Sequence, residues 1–272
     1  MSNSAPIGIF DSGIGGLSVW REIARQLPRE DTIYFADQIH IPYGPRSLQE
    51  IRSFSEAITR FLLDRKCKMI VVACNAASAA ALQHLRAAFP EVPFVGMEPA
   101  VKPAAETTRT GVVGVLATPA TFQGELFASV VERFANGVQL VKEVCPGLVQ
   151  QIEAGRLNTP DTREMLDRFL IPIRAANADT IVLGCTHYPF VIEALRQLAP
   201  GVNVIDPAPA VARQVDRVLQ ERGLLCAEDR IGRHRFVTSG DLDQYQQILR
   251  LLVNVETDAL QMYWEAGHVV KM

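Results

Sequence analysis

Two cysteines are the residues best placed for chemistry, because each follows an apolar, strand-like segment and precedes a helix-like one. Cys74 follows residues 69–73, and Cys185 follows Thr180–Gly184. A thiol at such a junction faces the unpaired N–H groups and the positive dipole end of the next helix, which stabilise a thiolate. We therefore expect two reactive thiols at the edge of a sheet where ligands bind. The other cysteines lack this setting and are expected to be structural: Cys67, Cys145 and Cys226.

A pair of thiols suits the inversion of a stereocentre. One group must remove a proton from one face of a carbon, and another must return a proton to the opposite face. A thiol can do both near neutral pH when its pKa is tuned towards that value. Two alternatives stay open. Cys74 and Cys185 could form a redox pair, although neither lies in a C-x-x-C motif. They could also be incidental in a protein that only binds an amino acid.

Asp11 ends the strand-like residues 7–10 and leads into a glycine-rich turn at residues 12–16. The glycine spacing is not that of a dinucleotide-binding loop, because position 18 is serine, and no phosphate-binding lysine follows. The glycines allow a tight turn that exposes backbone N–H groups. Asp11 could orient an ammonium group or assist a thiol. Equally, it could cap the helix that passes through Leu17.

Several other polar residues adjoin predicted strand or helix ends. His187 lies two residues after Cys185 and could move the thiol proton or contact a substrate, or it could be an ordinary turn residue. Thr118 and Thr121 follow a strand end and could donate to a carboxylate or cap a helix. Glu153 falls near a predicted helix C-terminus, where a glutamate is usually a solvated charge. The Cys-Thr-His spacing is not that of a metal site, so no metal is expected.

Strand-like and helix-like segments alternate along the chain, which predicts an α/β fold with mainly parallel sheets. Many strand-like segments are apolar throughout, as parallel strands covered on both faces are. The predicted strands are residues 7–10, 33–36, 69–73, 94–97, 112–116, 138–144, 180–184, 202–205 and 235–238. Ser47 and Glu50 form a capping-box pattern at the start of one helix. Thr159, followed by Pro160, marks the start of another.

The order of motifs repeats faintly and predicts two similar, pseudo-symmetric halves. In each half, a strand that enters a turn is followed after a similar interval by a strand that ends in a cysteine. Each half is expected to be a three-layer α/β domain, with the site in the cleft between the two. Two proline-containing stretches indicate where the chain crosses from one domain to the other. Residues 1–98 with 208–272 are expected to form the first domain, and residues 99–207 the second.

Composition excludes several classes of protein. The 272 residues carry a formal net charge of −3, with no basic excess to neutralise phosphates, so nucleic-acid binding is not expected. No apolar run approaches the ~20 residues that a bilayer requires, and the N-terminus lacks the pattern of a signal peptide. Five cysteines, an odd number, argue against a disulfide framework. We therefore expect a cytoplasmic protein without membrane contact.

Four motifs follow one another along the chain. They are Asp11-Ser12-Gly13-Ile14-Gly15-Gly16-Leu17, Pro42-Tyr43-Gly44, Ala73-Cys74-Asn75-Ala76-Ala77-Ser78 and Leu183-Gly184-Cys185-Thr186-His187-Tyr188-Pro189. In these motifs the sequence resembles the bacterial glutamate racemases of the aspartate/glutamate racemase family, and the resemblance runs on to residues 238–241. It implies two α/β domains, a homodimer, and interconversion of L- and D-glutamate without pyridoxal phosphate or metal. That reaction supplies D-glutamate for peptidoglycan.

The resemblance also implies roles for individual residues. Cys74 and Cys185 match the two catalytic thiols, and Asp11 and His187 match the residues that assist them. Glu153 matches a further site position. The positions that match substrate-binding residues are Asp11, Ser12, Tyr43, Gly44, Asn75, Ala76, Thr118, Thr121, Thr186 and His187.

Two positions bear on the substrate and its affinity. Family members commonly have threonine where this chain has Ala76, so a hydroxyl is missing while the backbone N–H remains. The loss of one hydrogen bond to a charged group costs about 1.5–3 kcal/mol of binding. His187 favours glutamate over aspartate, because the similar aspartate racemases tend to have glutamate at that position. A second function on a macromolecular partner would need a charged tail or basic patch, and the sequence offers neither.

Overall fold

Two parallel β-sheets form the framework of the molecule. The computed structural model describes residues 3–270; the predicted first domain also includes residues 1, 2, 271 and 272, which lie outside the described residues. Within the described range the strands are β1 (Ile7–Asp11), β2 (Thr32–Ala36), β3 (Met69–Val72), β4 (Phe94–Gly96), β5 (Val112–Ala117), β6 (Gln139–Val144), β7 (Thr180–Gly184), β8 (Asn203–Ile205), β9 (His234–Thr238), β10 (Leu260–Gln261), β11 (Tyr263–Glu265) and β12 (His268–Val270).

The fold class predicted from the sequence is confirmed. Six strands form the first sheet, in the order β10-β9-β2-β1-β3-β4, and all neighbours in it are parallel. Four strands form the second sheet, in the order β6-β5-β7-β8, and these are also parallel. The central strands are buried along their whole length, which explains their continuous apolar sequences. β11 and β12 form a separate antiparallel hairpin.

The two sheets share one strand order. The run β2-β1-β3-β4 in the first corresponds to β6-β5-β7-β8 in the second, so the faint repeat in the sequence has a structural counterpart. In sheets of this order, a crevice opens at the carboxyl ends of the strands where the order reverses, and ligands bind there. Asp11 and Cys74 stand at the ends of β1 and β3. Thr118 and Cys185 stand at the corresponding ends of β5 and β7.

Helices cover both faces of each sheet. They are α1 (Leu17–Gln26), α2 (Leu48–Asp64), α3 (Asn75–Ala88), α4 (Val101–Thr107), α5 (Pro119–Gln123), α6 (Glu125–Phe134), α7 (Leu148–Glu153), α8 (Pro160–Ala175), α9 (Ile192–Leu198), α10 (Ala208–Glu221) and α11 (Leu242–Val253). In the first sheet, α1, α10 and α11 pack on one face and α2 and α3 on the other. In the second sheet, α4 and α6 pack on one face and α8 and α9 on the other.

Local sequence signals set the helix starts that were predicted. Before α2, the Ser47 hydroxyl accepts a hydrogen bond from Glu50 N–H, and the Glu50 carboxylate accepts one from Ser47 N–H. Before α8, the Thr159 hydroxyl accepts a hydrogen bond from Thr162 N–H. Both caps use N–H groups that the helix itself cannot satisfy. Among residues 3–270, no helix is both long enough and apolar enough to cross a bilayer.

One apolar core joins the two sheets. It contains Ile9 and Val71 from the first sheet and Leu116 and Leu183 from the second. The chain passes from the first sheet to the second between β4 and β5, and it returns between β8 and β9. We propose domain boundaries at 98/99 and 207/208, because both positions fall within these two connections.

Candidate active site

Cys74 occupies the junction between β3 and α3. It is the N-cap residue of α3, and its Sγ accepts a hydrogen bond from Ala77 N–H at 3.5 Å. The thiol in turn donates to the Ser12 hydroxyl at 3.8 Å. The start of the helix therefore presents an N–H group to the sulfur, as the sequence predicts.

The electrostatic balance at Cys74 differs from the sequence prediction. Burial raises the pKa of Cys74 well above its usual value, and the Asp11 carboxylate beside it raises that pKa further. The backbone N–H groups of Ala77 and Ser12 lower the pKa, but by less. The N–H groups at the helix start thus favour the thiolate as expected, but burial and the charge of Asp11 outweigh them. The balance favours the thiol over the thiolate, and the Asp11 carboxylate lies beside it.

Asp11 is fully buried beneath the glycine-rich turn. Its Oδ2 accepts hydrogen bonds from Gly13 N–H at 3.2 Å and Gly16 N–H at 3.0 Å, and its Oδ1 lies 3.5 Å from the Thr186 hydroxyl. Burial raises the pKa of Asp11, although the positive charge of His187 and the Gly16 N–H lower it in part. The expectation that Asp11 could cap α1 is wrong, because the N-cap is Gly16 and no side chain caps this helix. The carboxylate instead fastens the turn that precedes α1, and it lies beside the Cys74 thiol.

Cys185 has a different partner. Its Sγ lies 3.8 Å from His187 Nδ1, and His187 Nε2 lies 2.6 Å from Glu153 Oε1. Burial by itself lowers the pKa of His187, but the hydrogen bonds to Cys185 and Glu153 outweigh it and raise that pKa well above its usual value. The direction of this shift favours an imidazolium, which lies between the Cys185 sulfur and the Glu153 carboxylate and faces the sulfur with a positive charge.

Glu153 joins the two halves of the molecule. It ends α7, as expected, but its side chain is only 13% exposed. Beyond His187, its carboxylate accepts Ile14 N–H at 2.8 Å and Gln38 Nε2 at 3.0 Å. The expectation of a solvated charge is therefore wrong, because donors from the first half of the chain cover this helix end.

The glycine-rich turn requires glycine at the two positions where the side chains of Glu153 and His187 pack against its backbone. A Cβ atom on Gly13 would collide with the Glu153 carboxylate, and one on Gly15 would collide with the His187 ring. The turn thus lets side chains from the second half approach the backbone of the first. This close approach brings His187 towards Asp11 and Cys74.

A cavity lies between the carboxyl ends of the two sheets, with about 310 Å³ of empty space that includes open solvent. Most of the predicted site residues line it: Ser12, Tyr43, Gly44, Cys74, Asn75, Ala76, Thr118, Cys185, Thr186 and His187. Three predicted residues are not in its lining: Asp11, Thr121 and Glu153. Val149 lines the cavity without having been predicted, because an apolar side chain carries no chemical signal in the sequence.

Asn75 has an unusual environment at the cavity wall. Its side chain is buried, and neither its Oδ1 nor its Nδ2 has a hydrogen-bond partner among the residues that the structure describes. An unpaired buried amide costs about 1–3 kcal/mol. A ligand with both an acceptor and a donor, such as an amino acid, would satisfy both atoms.

The two threonines after β5 divide their roles. Thr118 lines the cavity, and its hydroxyl lies 3.1 Å from that of Thr121. Thr121 is buried behind it and donates to the carbonyl of Gly184 at 3.3 Å, just before Cys185. Thr121 therefore fixes Thr118 against the end of β7 and does not itself border the cavity.

Two residues that support the site were missed by the sequence analysis. Asp37 accepts the hydroxyl of Tyr43 at 2.6 Å, and Gln38 donates to Glu153. Both directly follow β2, whose carboxyl end lies beside that of β1 in the same sheet. Their position directly after a predicted strand was the sequence signal that could have identified them.

Similarity to known proteins assigns the chain to a family of racemases. Residues 7–215 match the family model described as Asp/Glu/Hydantoin racemase, and the chain belongs to this family. Within it, the chain is 50% identical over 252 residues to a glutamate racemase of Roseiflexus sp. (strain RS-1), covering 92% of this chain and 93% of the relative.

Solved structures agree in fold over nearly the whole chain. Glutamate racemase isoform RacE1 from Bacillus anthracis superimposes with a TM-score of 0.88 at 31% identity, covering 98% of this chain and 99% of that one. Glutamate racemase from Francisella tularensis, in complex with D-glutamate, gives a TM-score of 0.84 at 29% identity, covering 97% and 98%.

Proposed function

We propose that this protein interconverts L- and D-glutamate, with Cys74 and Cys185 acting on opposite faces of the α-carbon. One observation carries the proposal: thiols from equivalent strand ends of two similar sheets line one cavity. Each sulfur has its own acid–base partner, Asp11 beside Cys74 and His187 beside Cys185. The similarity to glutamate racemases, one of which is solved with D-glutamate, supports the choice of substrate.

In the proposed reaction only the two cysteines exchange protons with the α-carbon, and no cofactor takes part. From L-glutamate, His187 holds the proton of Cys185, and the resulting thiolate removes the α-proton. The thiol of Cys74 then gives its proton to the opposite face of the carbanion, which yields D-glutamate. In the reverse direction, Asp11 takes the proton of Cys74, that thiolate removes the α-proton, and Cys185 protonates the other face. Proton exchange with solvent resets the pair.

The carbanion needs electrostatic stabilisation, because no cofactor delocalises its charge. The charge spreads onto the α-carboxylate, where preorganised donors act most strongly in a site that excludes water. Donors in the cavity wall are the amide of Asn75, which has no partner among residues 3–270, and the hydroxyls of Ser12 and Thr186. We assign them to the substrate together with the backbone N–H groups that follow each cysteine.

The biological setting follows from the same resemblance. We propose that glutamate is preferred to aspartate, because His187 occupies the position where aspartate racemases tend to have glutamate. The product D-glutamate would supply peptidoglycan synthesis in the cytoplasm. The family resemblance also favours a homodimer, with glutamate as the small-molecule partner.

The proposed function is tested by incubating the pure protein with L-glutamate in deuterated water without added cofactor. Circular dichroism should show the loss of optical activity, and proton NMR should show deuterium entering the α-position. L-aspartate, run in parallel, should react far more slowly. If neither amino acid exchanges its α-proton, the protein is not a racemase of these substrates.

Ala76 gives a prediction about affinity. Replacing Ala76 by serine restores a hydroxyl to the cavity wall, and we expect KM for glutamate to fall about tenfold to 100-fold, the effect of one hydrogen bond to a charged group. Steady-state kinetics measure this change. Ala87→Ser on the exposed side of the same helix is the control and should leave KM unaltered. A KM that Ala76→Ser leaves unchanged would contradict a substrate contact at this position.

A further inference from the structure

The carboxylate of Asp37 is buried, and side chains from several parts of the chain form hydrogen bonds to it. The proposed mechanism does not use this carboxylate. Its Oδ2 accepts the Tyr43 hydroxyl at 2.6 Å and lies 2.9 Å from His40 Nδ1. Its Oδ1 accepts the Ser239 hydroxyl at 2.9 Å and Trp264 Nε1 at 2.7 Å. The side chain has no exposed surface. Four partners from three separate parts of the chain thus surround one carboxylate, and its burial is tolerable because they satisfy it.

The segment that these bonds hold forms one wall of the cavity. Tyr43 and Gly44 line the cavity, and Gly44 C=O accepts a hydrogen bond from Ala120 N–H across the cleft at 3.1 Å. At the start of the same segment, Ile39 N–H donates to the Ser239 hydroxyl at 3.1 Å. The position of this wall therefore depends on hydrogen bonds that pass through Asp37 and its partners.

The hydroxyl of Tyr43 is committed to Asp37. Burial raises the pKa of Tyr43 well above its usual value, and the charge of Asp37 raises it further, so the phenol remains a donor to that carboxylate. Tyr43 therefore shapes the cavity with its ring, and the direction of the ring is fixed by the bond to Asp37.

Trp264 brings the C-terminal hairpin into this arrangement. Trp264 lies on β11, outside both sheets, and its indole packs edge-on against His40 with ring centroids 4.7 Å apart. His40 in turn stacks on Phe54 at 3.9 Å. The hairpin thus reaches the layer directly behind the cavity wall through both an aromatic contact and an N–H donor.

We propose that Asp37 is the positioning residue for the cavity wall formed by Tyr43 and Gly44, and that Trp264 of the C-terminal hairpin completes its anchoring. This inference rests on the proposed function, since the wall is expected to affect activity by contacting the substrate. None of the four partners of Asp37 is a proposed acid or base. Loosening the anchor should therefore weaken substrate binding and leave the proton transfers largely intact.

The test replaces Trp264 by phenylalanine, which keeps an aromatic ring against His40 and removes the N–H donor. We expect KM for both glutamate enantiomers to rise about tenfold, the loss expected for a hydrogen bond to a charged group that positions the wall. The value of kcat should stay close to that of the wild type. Ser239→Ala, which removes the other donor to Oδ1, should change KM in the same direction.

The second tryptophan of the chain provides a matched control. Trp20 Nε1 donates to the Thr32 hydroxyl at 3.0 Å, at the amino end of β2 and away from the cavity. Trp20→Phe removes the same kind of bond and should leave KM unchanged, even if it lowers the melting temperature. An unchanged KM in Trp264→Phe, or an equal rise in Trp20→Phe, would overturn the inference.

A second measurement separates this inference from the proposed function. Hydrogen exchange read by mass spectrometry reports the protection of amides in residues 38–46 and needs no substrate. Trp264→Phe should exchange faster there than Trp20→Phe or the wild type. If the wild type does not racemise glutamate but the exchange differs as expected, the proposed function fails and the anchoring stands. If the exchange is equal in all three proteins, the anchoring fails whatever the activity.

Discussion

Replacing Cys74 or Cys185 by serine should lower racemisation about 10³-fold, the contribution expected of a positioned acid or base. A hydroxyl gives up its proton far less readily than a thiol, so each variant lacks a competent group on one face of the α-carbon. The loss in kcat/KM must be equal in the two directions, because the enantiomers have equal free energies. Circular dichroism, started from each enantiomer, measures both rates.

Cys67→Ser is the matched control for these variants. Cys67 is also a buried thiol, and burial raises its pKa to about 12. It precedes β3, however, and so lies at the amino ends of the strands, away from the cavity at their carboxyl ends. It should therefore keep wild-type turnover. Far-ultraviolet circular dichroism of all three variants should show that the fold is retained. Wild-type turnover in Cys74→Ser, or a loss in Cys67→Ser as large as that in Cys74→Ser, would rule out the two-thiol mechanism.

Replacing Glu153 by glutamine should lower kcat/KM about 100-fold, within the range for an impaired acid–base group. The carboxylate of Glu153 is one of the groups that raise the pKa of His187. Its neutralisation lowers that pKa, so His187 loses its proton at a lower pH. The alkaline fall in the pH profile of kcat/KM should therefore move towards acid pH in the variant.

The same pKa shift has a consequence for stability. Because the pKa of His187 is raised above its usual 6.5 in the folded protein, protonation of His187 stabilises the fold fully below pH 6.5. That contribution is lost as the pH rises through the raised value. Glu153→Gln should therefore lower the melting temperature more at acid pH than at alkaline pH, which differential scanning calorimetry across pH measures.

A second glutamate–histidine pair serves as the control for Glu153→Gln. Glu56 Oε2 lies 2.8 Å from His84 Nε2 on the exposed surfaces of α2 and α3. An exposed pair contributes little to stability, and this one is away from the cavity. Glu56→Gln should thus leave the pH profile of activity unchanged. An unshifted profile in Glu153→Gln would mean that Glu153 does not govern the protonation of His187.

The sequence predicts the fold well where the signal is local and long enough. Continuous apolar strands and helix caps such as Ser47 and Thr159 place the elements of both sheets, with strand ends within one residue of those observed. The strands β10, β11 and β12 were missed, because segments of two or three residues carry no periodic pattern. The order of motifs predicted two similar halves, but the strand order that the two sheets share was not predicted.

The site is less predictable, because its chemistry depends on what surrounds each group. Cys74 stands at a helix start as predicted, but the net shift of its pKa follows from burial and from Asp11, which no local spacing reveals. Glu153 and Asp37 gain their roles from partners in distant parts of the chain. Such contacts are decided by packing between elements and have no counterpart in short-range sequence patterns.

The burial of the two thiols also determines which reagents can damage or block them. Cys74 is 4% exposed and Cys185 is 6% exposed, and both are reached through the same narrow cavity. Oxidants and alkylating agents react chiefly with accessible thiolates. The size of an electrophile should therefore limit which reagents reach the two thiols. A covalent inhibitor of this protein would need to be small enough to enter as an amino acid does.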